Sequence, residues 1–365
     1  MNMNPMLSWL AFPQPTNRRP ARRRIASFIL TAAVFVSFAP PFLAGPSKAM
    51  AAQEPFASSP VSTHGALHVE QANLVDSHGE KYQLRGMSTH GLAWFPQYVD
   101  RDTFRTLKDD WHVNCIRLAM YTEEYGGYCS GGNPDQLKAL VKKGVSYATE
   151  LGLYVIIDWH VLSDQDPNVH KAKAIDFFRE MSSLYKGQSN VLYEICNEPN
   201  GSASWESIKS YANEVIPVIR ANDEDAVIIV GTPTWSQDID KAAASPLEYP
   251  NLLYALHFYS ATHTGWLRQR LDACVEKGLP VIVSEFGTCD ASGNGANDFG
   301  QAAQWLEQLD HYQIGYCCWN LANKAETSSV LLPGCQKVAG WAPEELSETG
   351  RWIREYFRSR SEKTP

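Results

Sequence analysis

Two carboxylates stand at the ends of apolar, strand-like runs in this sequence. Glu198 lies near the end of YEICNEPN, which also holds Glu194, and Glu285 lies near the end of PVIVSEFGT. A charge at the end of a buried strand costs several kcal/mol unless it is paired or put to use. Two such acids, one kept protonated and the other ionised beside donors, are suited to hydrolysis of a glycosidic bond. The surroundings of Glu198 and Glu285 decide whether they form such a pair.

Polar or aromatic side chains also end most of the other apolar runs. They are Arg117 in IRLAM, His160 in IIDWH, Asn197 beside Glu198, His257 and Tyr259 in LHFYS, and Trp319 in CCWN. Each type has an ordinary use, since a lone Glu is usually solvated, a lone His usually completes hydrogen bonds and a lone Trp usually packs. Six strand ends that all carry such groups are difficult to attribute to chance. We therefore expect one shared site.

Strand periodicity predicts which of these side chains share a face, because residues i and i+2 point the same way. The expected sets are Val281, Val283 and Glu285; His257 and Tyr259; and Glu194, Cys196 and Glu198. Asn197 is out of phase with the last set, so it can reach the site only through a bulge or a twist. Pro199 stops strand pairing just beyond it.

Eight apolar, β-branched runs recur along the chain, and segments with helical spacing separate most of them. The runs are YQLRGMSTH, CIRLAM, LYVIIDWH, NVLYEICNEP, AVIIVGTP, LLYALHFYS, PVIVSEFGT and GYCCWNLAN. This alternation predicts an α/β fold, the (β/α)8 TIM barrel, with its site at the carboxyl ends of the strands. An open doubly wound sheet is the alternative, although no glycine-rich nucleotide-binding motif follows the first strands. A small hairpin turning at Ser77-His78-Gly79 is expected to precede the barrel.

The first fifty residues differ from the rest of this 365-residue chain. Five arginines precede the run IASFILTAAVFVSFA, and Ala49 and Ala51 have the spacing of a cleavage site. A membrane anchor is the alternative, but it needs about 18 apolar residues, and Pro40 and Pro41 interrupt this run. We predict a signal peptide over residues 1–52, a linker over 53–62, one domain over 63–361, a tail over 362–365, and secretion.

Charge narrows the range of partners. Six of the 32 basic residues precede Glu54 and no acidic residue does, so the remainder carries 26 basic against 40 acidic residues. Such a surface repels phosphate backbones, which argues against nucleic acid and is compatible with an uncharged substrate. No membrane contact is expected after removal of the signal peptide, and a monomer is expected.

All eight cysteines follow the predicted signal peptide. The chain has no CxxC pair, so a zinc site is disfavoured, and no cofactor or metal is needed for two-carboxylate chemistry. Cysteines in strand-like runs are expected to be buried thiols: Cys115, Cys196, Cys317 and Cys318. The other four are the better candidates for disulfides, with a pairing that the sequence does not reveal: Cys129, Cys274, Cys289 and Cys335.

Aromatic residues near the predicted mouth would supply flat apolar faces for sugar rings. They are Trp94, Phe95, Tyr121, Trp319 and Trp341. Polar groups would meet the hydroxyl edges of those rings, namely His90, His160, Asn197 and Lys324. A sugar site is therefore the interpretation that fits the residue types best.

The motifs together resemble glycoside hydrolase family 5 endoglucanases, most closely the bacterial-type subfamily 2 of β-1,4-glucanases. The stretches that carry the resemblance are QLRGMSTHGLAWF, CIRLAMYTEE, YVIIDWHVLSDQDPN, VLYEICNEPNG, VIIVGTPTWSQD, YALHFYSATHT, VSEFGTCDASGNG and WNLANKAETSSVLLPG. They follow the family's order over residues 63–361. The resemblance implies a retaining double displacement on a (β/α)8 catalytic domain, with the two carboxyl groups about 5–5.5 Å apart.

The resemblance also implies a role for each residue that matches a family motif. Glu198 would be the proton donor and general base, and Glu285 the nucleophile. Arg117 and Tyr259 would orient Glu285, Asn197 would bind the sugar 2-hydroxyl, His160 and His257 would complete the hydrogen-bonded floor, and Trp319 would stack beneath the sugar. Neighbouring subsites would hold His90, Trp94, Phe95, Tyr121, Ala291, Ser292, Lys324, Ala325 and Glu326. Glu194 is expected to be a structural partner of Arg117.

Three departures from the family pattern leave subsite preference open. Phe286 follows the nucleophile where tryptophan is common, Asn323 replaces a frequent acidic residue, and GYCCWN carries unusual cysteines. The alternatives are a related enzyme acting on mannan, mixed-linkage β-glucan or xyloglucan, and an inactive glycan-binding barrel. The chain ends shortly after its last helical segment, which favours soluble or amorphous glucan over crystalline cellulose.

Overall fold

A computed structural model describes residues 58–361, which form a closed parallel barrel preceded by a small antiparallel sheet. The barrel strands are β3 (Arg85–Thr89), β4 (Cys115–Tyr121), β5 (Tyr154–His160), β6 (Val191–Glu194), β7 (Ile228–Val230), β8 (Leu252–Tyr259), β9 (Val281–Gly287) and β10 (Tyr316–Leu321). They pair in chain order and close between β10 and β3. Each coincides with one of the eight predicted runs, and β4 extends one residue beyond its run, to Tyr121. The expected (β/α)8 barrel is thereby confirmed and the open sheet is excluded.

One helix precedes the barrel strands, one follows them, and the others separate them along the chain. The helices are α1 (Pro60–His64), α2 (Arg101–Asp109), α3 (Pro134–Leu151), α4 (Lys171–Leu184), α5 (Trp205–Arg220), α6 (Pro233–Ser236), α7 (Ile239–Ala244), α8 (Gly265–Glu276), α9 (Phe299–Tyr312) and α10 (Glu348–Ser361). Short 3-10 turns span Pro96–Tyr98, Pro167–His170 and Pro343–Glu345. Local sequence sets the bounds of α3, because the Asn133 side chain caps its first turn and Gly152 ends it at a left-handed φ of 67°.

Alternate residues along the strands join two separate hydrophobic clusters. Ile116 and Leu118 belong to a cluster that they share with helical residues such as Val145. Cys115 and Ile156 belong to a second cluster, built from the inward positions of the strands. The barrel is therefore apolar toward its amino-terminal end, and its polar groups collect toward the carboxyl ends of the strands.

The hairpin before the barrel has an additional turn ahead of the predicted one. Strands β1 (His68–Glu70) and β2 (Asn73–Val75) pair antiparallel, and their turn is at Gln71 and Ala72, with Gln71 left-handed at φ 54°. The chain contains two consecutive turns here, and the predicted one is present with antiparallel pairing across it. Ser77-His78-Gly79 forms the second, which returns the chain so that Lys81 bridges to Val75.

The sequence predicts a signal peptide and a linker before the barrel domain. The predicted signal peptide, residues 1–52, lies outside the described residues. The predicted linker extends to residue 62, whereas α1 begins at Pro60 and is capped by the Ser59 side chain. The Val61 amide also donates to the Gly152 carbonyl at 3.1 Å, so this short helix is joined to the barrel domain.

All eight cysteines are free thiols, so the expectation of disulfides among the second four was wrong. Cys274 and Cys335 lie within the cluster between sheet and helices, and Cys129 packs against it. Burial raises the pKa of Cys289 to about 12. These thiols therefore act as small apolar side chains. Among residues 58–361, no helix is both long enough and apolar enough to cross a bilayer.

Candidate active site

A cleft of about 510 Å³ opens over the carboxyl ends of the barrel strands. Most of the predicted site residues line it: His90, Tyr121, His160, Glu198, His257, Tyr259, Glu285, Ala291, Ser292, Trp319, Lys324 and Glu326. Arg117 and Asn197 lie beneath it, fully buried. The cleft has the size and position of a ligand site in a TIM barrel.

The two predicted acids meet in this cleft. Glu198 follows β6 and Glu285 lies on β9, and both side chains are almost completely buried. A carboxylate oxygen of each lies within 4.8 Å of the other and of a ring nitrogen of His257. Two carboxyl groups this close to one another can act on the same carbon atom of a substrate.

Arg117 is the cation at the base of the site. Its Nε donates to Glu194 Oε2 at 2.7 Å, and its Nη1 donates to Glu285 Oε2 at 3.0 Å. Its Nη2 donates to Asn197 Oδ1 at 2.6 Å and lies 3.0 Å from Asp158 Oδ2. One guanidinium thus compensates three buried carboxylates. The expected pairing of Glu194 with Arg117 is present.

Glu285 is surrounded by donors that favour its ionised form. Tyr259 Oη donates to Glu285 Oε1 at 2.8 Å, while Arg117 binds the other oxygen. Burial and the nearby Glu198 carboxyl raise the pKa of Glu285, and Arg117 opposes that rise. Both oxygens are therefore held in fixed directions by hydrogen bonds.

Glu198 has different surroundings. Its side-chain partner is His257, whose Nδ1 lies 2.9 Å from Glu198 Oε1. Burial raises the pKa of Glu198 to about 8, although Arg117 acts in the opposite direction. Glu198 is therefore protonated at neutral pH, while Glu285 has the stronger donors. The two acids have opposite roles available to them.

Two neutral histidines support this arrangement. Burial lowers the pKa of His160 to about 3 and that of His257 to about 4. His160 Nδ1 lies 2.6 Å from Asp158 Oδ2, so it carries the proton. His160 Nε2 then accepts from Asn197 Nδ2 at 3.2 Å. Asn197 is thereby oriented by both His160 and Arg117.

The expected strand phase is wrong at β6 and β9. A bulge in β9 explains one error, and the end of the regular strand at Glu194 explains the other. On β9, Val281 and Val283 pack outward against the helices, yet Glu285 faces the cleft. The pairing of β9 with β8 shifts between Ala255 and His257, which inserts one extra residue into β9. A bulge of this kind redirects the side chains that follow it. His257 and Tyr259 share a face, as predicted.

At β6 the regular strand ends at Glu194. Ile195 and Cys196 both pack outward, so Cys196 does not share a face with Glu194 and Glu198. The phase therefore shifts by one residue, and Asn197 turns inward toward Arg117. This is the irregularity that Asn197 requires in order to reach the site.

The loop after β7 holds the segment around Glu198 in place. The Trp235 amide donates to the Pro199 carbonyl at 3.0 Å, and Ser236 Oγ donates to the Asn197 carbonyl at 2.7 Å. Thr234, Trp235 and Ser236 are all left-handed, with φ between 53° and 59°. Each costs about 1–3 kcal/mol, and such strain persists only where surrounding contacts impose it. The turn presents Trp235, 45% exposed, to the cleft.

The predicted aromatic residues fall into three groups. Trp319 lines the cleft and stacks on His160, with ring centroids 5.2 Å apart. Trp94 is 40% exposed beside the cleft, with Lys324 Nζ 4.6 Å from its ring centroid, and Phe95 lies parallel to it. Trp341 is the exception, because it is buried 6.0 Å from Trp111 and contributes nothing to the cleft.

An ion pair between Lys324 and Glu326 lies at the rim of the cleft beside His90, which burial keeps neutral by lowering its pKa to about 2. Lys324 Nζ lies 2.6 Å from Glu326 Oε2, and Glu326 Oε1 lies 3.7 Å from His90 Nε2. Ala325, between Lys324 and Glu326, is exposed and does not line the cleft. Polar donors and acceptors therefore alternate along one wall.

Glu198, His257 and Glu285 have the donor types that a metal ion uses. Each of these residues already has a hydrogen-bond partner within the protein, as His257 does in Glu198 and Glu285 does in Arg117 and Tyr259. The guanidinium of Arg117 supplies the positive charge at the centre of the cluster. The chemistry available to these residues is proton transfer and nucleophilic attack.

Comparisons with known proteins identify the family of this barrel. The model of the cellulases, glycosyl hydrolase family 5, matches residues 75–325. The chain belongs to glycosyl hydrolase family 5. The resemblance drawn from the sequence motifs is thereby confirmed, and the protein is a glycoside hydrolase.

Curated relatives of this family 5 chain are named endoglucanases. It is 48% identical over 303 residues to endoglucanase N of Pectobacterium atrosepticum, covering 83% of this chain and 67% of that protein. It is also 48% identical to endoglucanase 5 of Pectobacterium carotovorum subsp. carotovorum, and that match covers 83% of this chain and 59% of the relative. The chain thus spans between 59% and 67% of the length of these two relatives.

Solved structures share the fold. The catalytic domain of Thermobifida fusca endoglucanase Cel5A, in complex with cellotetraose, is similar with a TM-score of 0.79 and 40% sequence identity. The match covers 82% of this chain and 99% of that one. The relation therefore extends over the whole barrel of the family 5 protein.

Several residues of the family 5 site were not singled out from the sequence. Those lining the cleft are Leu162, Trp235, Gln237, His263, Gly293 and Ser328. Trp235 lies in the motif GTPTWSQD, which was a signal that could have identified it. Tyr125 is 69% exposed and lies 5.6 Å from the Trp94 ring, beyond the predicted set. Asp158 and Ser284 are buried behind the cleft, and only their contacts reveal them.

Proposed function

We propose that this enzyme is a secreted, retaining endo-β-1,4-glucanase. The observation that carries the proposal is the pair Glu198 and Glu285. One oxygen of each lies within 4.8 Å of the other, and Glu198 is bound by His257 whereas Glu285 is bound by Tyr259 and Arg117. Retaining enzymes place their carboxyl groups about 5–5.5 Å apart, whereas inverting enzymes need about 6.5–9.5 Å. The relatives' names support β-1,4-glucan as the substrate.

In the first step, the Glu285 carboxylate attacks the anomeric carbon while Glu198 gives its proton to the glycosidic oxygen. The bond to that oxygen breaks, and a glycosyl ester forms on Glu285. In the second step, Glu198, now ionised, takes a proton from water as the water attacks the same carbon and releases Glu285. Arg117 and Tyr259 hold Glu285 in place and accommodate its change of charge. Asn197 is oriented to bind the sugar 2-hydroxyl.

Aromatic faces on opposite sides of the cleft support action within a chain. Trp94 follows β3 and Trp235 follows β7, and these strands lie opposite one another in the eight-stranded barrel. Both indoles are at least 40% exposed. Sugar rings stacked on these two indoles would cover apolar surface that is otherwise exposed to water. A glucan lying across the mouth would contact both sides of the bond between the acids.

Export and subunit state are part of the same proposal. The arginine-rich segment followed by an apolar run supports a signal peptide over residues 1–52, before the domain at 63–361. A glycanase of polymeric substrates needs to act where the polymer is. We infer a secreted monomer that needs no cofactor.

A substrate panel tests the assignment. The purified enzyme is expected to release reducing ends from carboxymethylcellulose with a rapid fall in viscosity, and to cut cello-oligosaccharides into shorter ones. Mannan, mixed-linkage β-glucan and xyloglucan are the comparison substrates, and the double variant Glu198→Gln/Glu285→Gln controls for contaminating activity. Faster cleavage of mannan than of cellulosic chains would contradict the proposal. Tight binding of cellopentaose without turnover would identify an inactive glycan-binding barrel instead.

The pH profile of kcat/KM tests the assigned protonation states. Because Glu198 acts as the acid and burial raises its pKa to about 8, activity is expected to fall as pH rises through about 8. Protonation of Glu285 sets the acidic limb. An activated cellobioside with a dinitrophenyl leaving group needs no acid, so its basic limb is expected to disappear. A basic limb below pH 6, or one unchanged with the activated substrate, would contradict these roles.

A further inference from the structure

Ser284 lies next to Glu285 on β9 and takes part in none of the roles assigned above. The bulge on β9 turns two consecutive side chains inward, so Ser284 joins the buried network instead of the outer cluster. Its Oγ lies 2.7 Å from Glu194 Oε1 and 2.9 Å from His257 Nε2. His257 Nδ1 in turn lies 2.9 Å from Glu198 Oε1. These contacts form an unbroken chain from Glu194 to Glu198.

The direction of each hydrogen bond in this chain follows from proton counting. Glu194 is paired with Arg117 through Oε2, so its Oε1 is an acceptor, and Ser284 Oγ is the donor within reach. A serine hydroxyl has one proton. Having donated it to Glu194, Ser284 Oγ accepts from His257 Nε2.

His257 therefore carries its proton on Nε2. Burial lowers the pKa of this imidazole to about 4, so the ring is neutral and holds a single proton. Its Nδ1 then presents a lone pair to Glu198 Oε1. A neutral imidazole nitrogen in this state can only accept, so the hydrogen bond to Glu198 forms when Glu198 is protonated.

We infer that Ser284 is a positioning residue that fixes the tautomer of His257 and thereby holds Glu198 as the protonated acid. The inference rests on the proposed function, since it assigns Glu198 the role of proton donor. With Ser284 replaced, the imidazole proton can move to Nδ1 and donate to an ionised Glu198. The resting enzyme would then lack the acid that it needs for the first step.

Other charged groups also act on Glu198 and stay in place in a Ser284 variant. From the surrounding elements these are Arg117 on β4, Glu124 after β4, Asp158 on β5, Glu194 on β6 and Glu285 on β9. Arg117 favours the ionised form of Glu198, and the acids disfavour it. The change expected from Ser284 is therefore a shift in the pH profile and not loss of the profile.

The test compares Ser284→Ala with Ser284→Thr on two substrates. With cellotetraose, Ser284→Ala is expected to move the basic limb of kcat/KM down by about 1 pH unit, which is about a tenfold loss above that limb. With the dinitrophenyl cellobioside, whose leaving group needs no proton, kcat/KM is expected to stay within about twofold. Ser284→Thr, which restores the hydroxyl, is expected to restore the cellotetraose limb. Equal losses on both substrates would indicate general structural damage and overturn the inference.

A second measurement does not depend on how the variants fold. The nitrogen-15 shifts of His257 in the unsubstituted enzyme report which ring nitrogen is protonated. A proton on Nε2 at pH 6 supports the inference, and a proton on Nδ1 overturns it. An enzyme that cuts no β-1,4-glucan would refute the proposed function, whereas the tautomer would still be read independently.

Discussion

Glu285→Gln is expected to lower kcat/KM by a factor on the order of 10⁴ or more, on every glycan substrate and on activated aryl cellobiosides alike. The amide occupies nearly the same volume but cannot form the glycosyl ester, so no substrate can bypass the loss. Arg117 and Tyr259 remain to bind the substituted side chain. Initial rates with carboxymethylcellulose and dinitrophenyl cellobioside, and far-UV circular dichroism for the fold, check the prediction.

Glu198→Gln is the matched control, because it makes the same change at the other acid. It is expected to abolish turnover of carboxymethylcellulose and to spare the first step with the dinitrophenyl substrate, whose leaving group departs without a proton. If Glu198→Gln lost activity on both substrates and Glu285→Gln lost it only on carboxymethylcellulose, the assigned roles would be reversed. Near-full activity on carboxymethylcellulose in either variant would refute the two-carboxylate site.

Arg117→Met is expected to produce the largest loss of stability. It leaves the buried carboxylates of Asp158, Glu194 and Glu285 without their common cation. Removal of one partner from a buried ion pair costs about 3–5 kcal/mol, because the remaining charge is uncompensated. Urea unfolding at pH 7, followed by tryptophan fluorescence, measures the difference in the free energy of unfolding.

The pH dependence of that loss has a definite sign. Without the guanidinium, burial raises the folded-state pKa values of the three carboxyl groups above those of the unfolded chain. A raised carboxyl pKa stabilises the folded state at low pH, and this contribution is lost as pH rises above the unfolded value of about 4. The deficit of Arg117→Met should therefore be smaller at pH 4 than at pH 7.

Arg101→Met is the matched control for this prediction. Arg101 pairs with Glu150 at the surface, where both side chains are more than a third exposed. Solvent screens such a pair, so its loss should leave the unfolding midpoint nearly unchanged. Equal stability of the two variants would show that the buried network does not need its cation.

The barrel was predictable because the alternation of apolar runs and helical segments is repeated along most of the chain. Eight apolar runs, most of them separated by segments with helical spacing, leave few alternatives for a chain of this size. The polar strand ends were predictable for a related reason, since the carboxyl ends of parallel strands converge whatever their order. Glu198, Glu285 and Tyr259 could therefore be assigned to one mouth before any distance was known.

Side-chain direction was less predictable, because one extra residue reverses it. Val283 and Glu285 differ by two positions and would share a face in a regular strand, yet the bulge on β9 separates them. At β6 the regular strand ends at Glu194, so Cys196 packs outward instead of sharing the face of Glu194. Bulges are encoded by pairing with neighbouring strands, which a single run of sequence does not contain.

Packing partners were the least predictable feature. Trp341 is chemically suited to stack on sugar but fills the space beside Trp111. Ser284 is an ordinary strand residue in the sequence, and only its contacts with Glu194 and His257 reveal its place. The four cysteines considered for disulfides are free thiols, and three of them pack in or against the apolar cluster between sheet and helices: Cys129, Cys274 and Cys335. The partner that each of these side chains contacts depends on how strands and helices pack together, which amino-acid composition does not specify.

The stereochemistry of the first product tests the central claim most directly. Proton NMR, recorded within the first minutes of cellotetraose hydrolysis, resolves the anomeric signals of the newly formed reducing end before mutarotation mixes them. The β-anomer is predicted to appear first, because two displacements at one carbon restore its configuration. Initial release of the α-anomer would mean a single displacement by water, and Glu285 could not then be the nucleophile.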